Sequence, residues 1–352
     1  MAYSVINKSS EHFNTKLYTG NGGTQSITGV GFQPDFTWLK GRSFADYHVV
    51  NDAVRGATKS IYPNDTASEG TQTNGLTSFD SDGFSIGNWS NINPNGGTVV
   101  SWNWKANGTG SSNTDGSINT TYTSVNTTAG FSIIKYAGNT TAGATIGHGL
   151  GAVPKMILIK NLNSSENWVV YHSSLGATKF LSLNRSDAVS TSSGVFNNTE
   201  PTSSLISLGD FGSVNESPGN YIAYAFAEKQ GYSKFGRFTA NGSTDNAFVY
   251  TGFKPAFVMM KCDNVTDGWS KWYMFDTARS PENMNVKELE ANTTAVESSS
   301  GADYAQIDML SNGFKLRNGS AWGPASSGNT SVYMAFAEAP IVGTNNVPCT
   351  AR

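Results

Sequence analysis

Few side chains in this sequence stand at spacings that do chemistry. A glycosidase needs two carboxylates held roughly 5–10 Å apart across a cleft. Glu288 and Glu290, in "KELE", are two residues apart, but they fall in a stretch that reads as a solvated insertion. Glu228 and Glu338 each close an "AFAE", and nothing in the sequence selects them as a dyad drawn from distant parts of the chain. The four histidines, His12, His48, His148 and His172, show no metal-ligand spacing and have no cysteine nearby. Asp52 and Arg55 in "DAVRG" recur as Asp276 and Arg279 in "DTARS", but the parallel stretch "VVYHSSLGATK" between them has His172 and Leu175 at those places. A charge pair that one copy does without reads as a structural ion pair. Asp80 and Asp82 in "FDSDGF" could begin a calcium loop, but the further oxygen ligands and the closing Glu are missing, so a β-turn is expected. No nucleophile elbow, phosphate loop or dinucleotide fingerprint occurs. The reading is a non-enzymatic protein with no catalytic residues, no cofactor and no metal.

The aromatics are the remaining candidates, because the face of an indole packs well on a pyranose ring. Trp38, Trp168, Trp269 and Trp272 enter on that ground alone. Trp89 in "GNWSNINPNGG" and Trp322 in "NGSAWGPASSGN" fall at corresponding places, in polar loops just before an apolar strand. A large apolar residue in a polar loop is informative, and Trp89 and Trp322 are the candidate ligand contacts. Trp102 and Trp104 read as core.

The elements that must position these residues repeat three times. "YTGNGG" at Tyr18, "YAGNTT" at Tyr136 and "FTANGS" at Phe238 are followed by "GFQPDFTWLK", "GLGAVPKMILIK" and "GFKPAFVMMK". Each of the latter has a proline (Pro34, Pro154, Pro255) and an apolar run closing on lysine. "VVNDAVRGATK", "VVYHSSLGATK" and "YMFDTARS" come next, and "GTVVSWNWKA", "GNYIAYAFAEK" and "NTSVYMAFAEAP" close the units. Such recurrence marks a triplicated module of about 95–110 residues, an ordinary domain size. Large side chains alternate with small ones in the closing segments (Trp102, Asn103, Trp104; Tyr224, Ala225, Phe226; Met334, Ala335, Phe336), which is the period of a strand. The fold expected is all-β: three tandem homologous β-sandwich modules, jelly-roll or concanavalin-A-like, with barrel closure as the alternative. The boundaries read as 1–106, 131–230 and 231–340, with a Gly/Ser/Thr/Asn-rich linker at 107–130 and a C-terminal tail at 341–352. "SPENMNVKELEANTTA", from Ser280, offers one short helix.

Charged residues make up 14% of the 352, against about 25% in an average soluble protein. The net charge is −3 with no basic block, which argues against nucleic acid. No apolar run approaches the roughly 18 residues of a membrane-spanning helix, and the N-terminus lacks the order of a signal peptide. Cys262 and Cys349 read as free thiols.

Taken together, "VGFQPDFTWLK", "SFDSDGF", "GHGLGAVPKMILIK", "EKQGYSKFG", "VYTGFKPAFVMMK", "LSNGFKLRN", "YMAFAEAP" and "VGTNNVPCTAR" resemble a family of proteins from bacteriophages of marine bacteria, of unknown biochemical activity and often labelled tail-fibre or lectin-like structural proteins. The resemblance covers nearly the whole chain. It implies a virion structural protein assembled in the host's bacterial cytoplasm, whose partners are other virion proteins. Attachment to the host surface, with a glycan as candidate receptor, is the first expectation. Capsid decoration is the second and glycan depolymerisation the third. A homo-oligomer, with a trimer favoured, is expected, without membrane insertion.

Overall fold

The structure, a computed structural model, describes residues 4–298, 305–318 and 322–340. The tail 341–352, with Cys349, lies outside the described residues. The described chain is all-β, with two four-residue helices, Ser193–Phe196 and Gly212–Asn215, and two short 3-10 turns.

Three antiparallel sheets share one kernel. In the first, Phe13–Thr19 pairs with Thr98–Trp104, which pairs with Phe36–Gly41, which pairs with Val49–Asp52. The same order recurs as Phe131–Ala137, Asn220–Ala227, Pro154–Asn161, Val169–His172, and as Ser233–Thr239, Thr330–Pro340, Phe253–Cys262, Trp272–Asp276. Each closing segment is thus a central strand, as its alternating large and small residues require. Pro154 and Pro255 sit at register shifts near the heads of their strands, where a residue without an N–H costs no ladder hydrogen bond.

The two faces of each sheet have different fates. One face is covered by a small sheet of its own copy, giving the outer clusters around Phe84 and Ile86, around Ile146 and Ile206, and around Phe314 and Ile307. This layering gives the protein its β-sandwich character. The opposite faces turn toward one another, and the largest apolar cluster draws on all three copies. Trp104 is 2% exposed and meets Phe13 and Phe36 of its own copy, Phe226 of the second, and Phe257 and Phe336 of the third, at ring-centroid distances of 4.7–6.3 Å. The shared core explains how a chain with few charges and short strands buries enough apolar surface.

The copies are also tied cyclically through their backbones. Glu69 N donates to Leu162 O, Val189 N to Asp263 O, and Glu297 N to Arg42 O. Each bond links the loop after one copy's fourth strand to the end of the next copy's third strand, and the last closes the ring. An aromatic N–H reinforces each joint. Trp168 Nε1 donates to Tyr62 O, Trp272 Nε1 to Ser182 O, and His48 Nε2 binds Glu290 O. Trp38 Nε1 donates to His48 Nδ1, so His48 must carry its proton on Nε2. The strand-closing lysines stand at the same joints. Lys40 Nζ donates to Thr294 O and Lys160 Nζ to Thr66 O, each in another copy, while Lys261 Nζ donates to Ser270 O within its own. Burial lowers all three ammonium groups to about 8.

Two expectations need correction. The segment 107–130, read as a linker, contains the strand Tyr122–Asn126, which adds an edge to the second sheet. Its polar residues serve packing instead: Ser112 Oγ donates to Thr120 O, and Thr120 Oγ1 accepts from Asn113 N. A side chain on Gly110 or Gly116 would meet backbone at 2.2 or 2.4 Å, so the glycines permit close approach. No helix begins at Ser280. That stretch runs in turns to the short strand Leu289–Glu290, which pairs with the third sheet through Tyr273 and Met274. The edge of the sheet overrode the local capping pattern.

Candidate aromatic binding sites

The turns before the first two closing strands are built alike, and the third shares their aromatic head. In the first copy Asn93 N donates to Trp89 O, and Asn93 Oδ1 accepts from Asn21 N. In the second, Asn215 N donates to Phe211 O, and Asn215 Oδ1 accepts from Asn139 N. In the third, Ala325 N donates to Trp322 O. An aromatic residue therefore heads all three turns. Phe211 was not singled out from the sequence, although the four-residue step from aromatic to Asn, shared by Trp89–Asn93 and Phe211–Asn215, carries the signal. Phe211 lies over Gly194, where any side chain would strike its ring at 2.2 Å.

Trp89 and Trp322 have different surroundings. Trp89 is half-buried against the outer cluster of the first copy and lines an open groove of about 360 Å³ with Tyr47, Tyr62, Asp46, Asp65 and Asn91. Tyr47 is exposed, its ring 5.4 Å from that of Tyr62, and its carbonyl is held by Asn91 Nδ2 at 2.9 Å. Asp46 and Asp65 cap backbone N–H groups of Tyr47 and Ala67 and keep further lone pairs for a ligand. Three aromatic side chains with two carboxylates beside them are suited to polyhydroxylated rings.

Trp322 is 2% exposed and packs edge-on against Tyr273 and Phe275. Its loop is pulled inward because Gly323 N donates to Trp269 O. It forms the wall of a small cavity of about 40 Å³ beneath Trp269. Glu288 and Glu290, expected to be solvated, line the same cavity and are buried. Glu290 pairs with Lys271 at 2.6 Å. The Glu288 carboxyl is pushed up to about 7, chiefly by burial and then by Glu290, against the opposing pull of Lys271 and of the Ala305 amide.

That shift sets a sign. A carboxyl raised in the folded state binds its proton more tightly there than in the unfolded chain. Its contribution is full below about pH 4.5 and is lost as pH rises through 7. Glu288→Gln should be close to neutral at pH 5 and should stabilise by up to about 3 kcal/mol at pH 8. Urea unfolding of both proteins at the two pH values checks it, and a difference that does not grow with pH would refute it.

Most of the other candidates are buried or paired within the fold. Among the platform candidates, Trp38, Trp168 and Trp272 are buried in the central core, as are Trp102 and Trp104, whereas Trp269 is exposed. The Asp52–Arg55 and Asp276–Arg279 pairs are fully buried. Asp82 accepts from Gly29 N and Gly31 N, which holds it below the usual carboxylate range, and it sits in the turn between Leu76–Asp80 and Gly83–Ile86. Glu228 and Glu338 pair with Lys234 and Lys254. His48, His148 and His172 are buried, each with a ring nitrogen against a backbone carbonyl. Cys262 is a buried free thiol whose Sγ donates to Asn264 Oδ1 at 3.4 Å. Among the described residues no group of three or more His, Cys, Asp or Glu could hold a metal ion, and no helix is long and apolar enough to cross a membrane.

Residues 8–340 match a family described as a domain of unknown function (DUF7483), and the chain belongs to that family. No curated protein and no solved structure matches it.

Proposed function

We propose that this chain is a non-enzymatic structural protein exposed on a bacteriophage particle, a tail-fibre or appendage component that attaches to the host surface through a glycan. We read its architecture as three homologous sandwich modules of jelly-roll or concanavalin-A-like type, fused around a common core. The observation that carries the binding role is the groove of Tyr47, Tyr62 and Trp89, lined also by Asp46 and Asp65, with the buried Asn91 holding the Tyr47 carbonyl. A rigid β scaffold presenting such a groove on loops suits recognition, because loops vary without disturbing the sheets that hold them. The phage context rests on the resemblance of the repeated motifs to marine phage structural proteins. Oligomerisation, with a trimer favoured, would multiply weak single-site contacts through avidity.

Antibody labelling of intact virions tests the location. Label on the tail tip or fibres supports attachment, label across the head turns the reading to capsid decoration, and an unlabelled particle overturns both. Trp89→Ala tests the groove. It should weaken retention on immobilised host-surface polysaccharide about tenfold or more, the size of one lost stacking platform, measured well below the variant's unfolding temperature, which the lost packing on the outer cluster lowers. Unchanged retention by a folded Trp89→Ala protein would remove the groove from the binding role.

A further inference from the structure

We propose that the cavity beneath Trp269 is a second carbohydrate subsite, which takes a single hydroxyl-bearing arm of a sugar whose ring rests on the Trp269 face. The inference rests on the glycan-binding reading above and adds a distinct site, in the third copy, with its own chemistry.

Three observations lead there. First, two of the residues that line the cavity carry orphan polar atoms, one an acceptor and one a donor. Among the described residues, Glu288 Oε2 and Trp322 Nε1 are buried without a hydrogen-bond partner, and both residues line it. Their residues are 4% and 2% exposed, so bulk water does not satisfy them. An unsatisfied buried polar group costs about 1–3 kcal/mol, and an occupant that bonds both atoms recovers that cost. A hydroxyl group has the chemistry for both, because one O–H can donate to a carboxylate oxygen such as Glu288 Oε2 and accept an indole N–H such as that of Trp322. Second, the volume of about 40 Å³ admits a hydroxymethyl arm or a pair of waters and excludes a sugar ring. The ring must stay outside.

Third, the mouth provides the surface for that ring. Trp269 is 51% exposed, unusual for so large a side chain, yet its backbone is fixed on both sides. Its N–H donates to Asp267 Oδ1, and its carbonyl accepts from Tyr273 Oη and Gly323 N. A side chain on Gly323 would stand 2.7 Å from that carbonyl, so the loop is closed against it. Lys271 Nζ lies 5.9 Å from the Trp269 ring and pairs with Glu290, leaving the Glu288 carboxylate as the acceptor for an incoming hydroxyl. The groove in the first copy occupies the corresponding place. Trp89 and Trp322 head equivalent turns, and Tyr47 and Lys271 immediately precede His48 and Trp272. The repeat has kept one position for contact and changed its depth, from an open aromatic groove to a capped hydroxyl pocket.

The probes are methyl glucoside and its 6-deoxy analogue, added to the full chain carrying 15N-labelled tryptophan. The indole N–H signals of Trp269 and Trp322 should shift with methyl glucoside, and the Trp322 shift should be lost with the 6-deoxy sugar. Glu288→Met, which removes the acceptor without leaving a cavity, and Trp269→Ala, at an exposed side chain, should each weaken the Trp322 response about tenfold or more. Shifts confined to Trp89 would overturn the second subsite and leave the groove standing. A Trp322 shift that persists undiminished in both variants would overturn the assigned contacts. If no indole responds to either sugar, both this subsite and the groove fail for hexoses.

Discussion

Replacing Trp104 with Ala should cost about 3–5 kcal/mol, the usual range for emptying a buried indole site, and the loss should be felt in all three sheets. Trp104 is in ring contact with Phe13, Phe36, Phe226, Phe257 and Phe336, which belong to three different copies. Edge-to-face pairs of this kind add about 0.5–1.5 kcal/mol each beyond burial. A void at that point removes contacts from every copy at once, and the neighbouring strands cannot collapse onto it without moving three sheets. Phe84→Ala offers the comparison. Phe84 is also fully buried, but its cluster contains only first-copy residues such as Ile27, Leu39 and Ile86. Hydrogen exchange followed by mass spectrometry separates the two. Trp104→Ala should speed exchange in Thr98–Trp104, Asn220–Ala227 and Thr330–Pro340 together, whereas Phe84→Ala should act mainly on Gln25–Thr28 and Gly83–Ile86. Acceleration limited to the first copy in Trp104→Ala would mean that the copies are energetically separate despite the shared core.

The sequence made the repeat and its strands legible because both depend on local order. Trp102 and Trp104, Tyr224 and Phe226, and Met334 and Phe336 alternate with small residues, and in the structure these large side chains all face the central cluster while Ala225 and Ala335 join the outer ones. That three such faces meet one another is a fact about distant surfaces, which no window of sequence displays. The same limit hid the candidate site. Glu288 and Glu290 sit among polar neighbours that suggest exposure, and only the pairing of Leu289–Glu290 with Tyr273 and Met274 carries them beneath Trp269 and beside Trp322. Trp89 and Trp322 were recognisable as equivalent by position, but their depths differ because Gly323 draws the third-copy loop inward. The segment 107–130 misled through composition. Its Ser, Thr and Asn side chains bond to nearby backbone, and its glycines admit close strands.

The buried ion pairs show how far the copies have diverged together, and they yield the second large expectation. At one joint Arg55 is held by Asp52 and Glu69, and Asp52 Oδ2 also accepts from Tyr224 Oη of the second copy at 2.7 Å. At another Arg279 is held by Asp276 and Glu297, and Asp276 Oδ2 accepts from Trp102 Nε1 of the first copy at 3.0 Å. At the third joint the four corresponding positions are His172, Leu175, Val189 and Met334. There Leu175 and Val189 pack on the central core, and His172 Nε2 binds the carbonyl of Tyr333 at 3.1 Å. All four positions changed as a set, as expected if a half-satisfied buried network is worse than either a complete one or an apolar one. Arg55→Leu alone leaves Asp52 buried without its counter-charge and should cost about 3–5 kcal/mol. Adding Asp52→His, Glu69→Val and Tyr224→Met should recover more than half of that loss, since the introduced imidazole has the Ala223 carbonyl, the counterpart of Tyr333, within its copy of the joint. Urea unfolding of the single and fourfold variants decides the matter. A fourfold protein no more stable than Arg55→Leu would show that the third joint is tolerated only in its own surroundings, and that the charged joints are held by more than the completeness of their bonding.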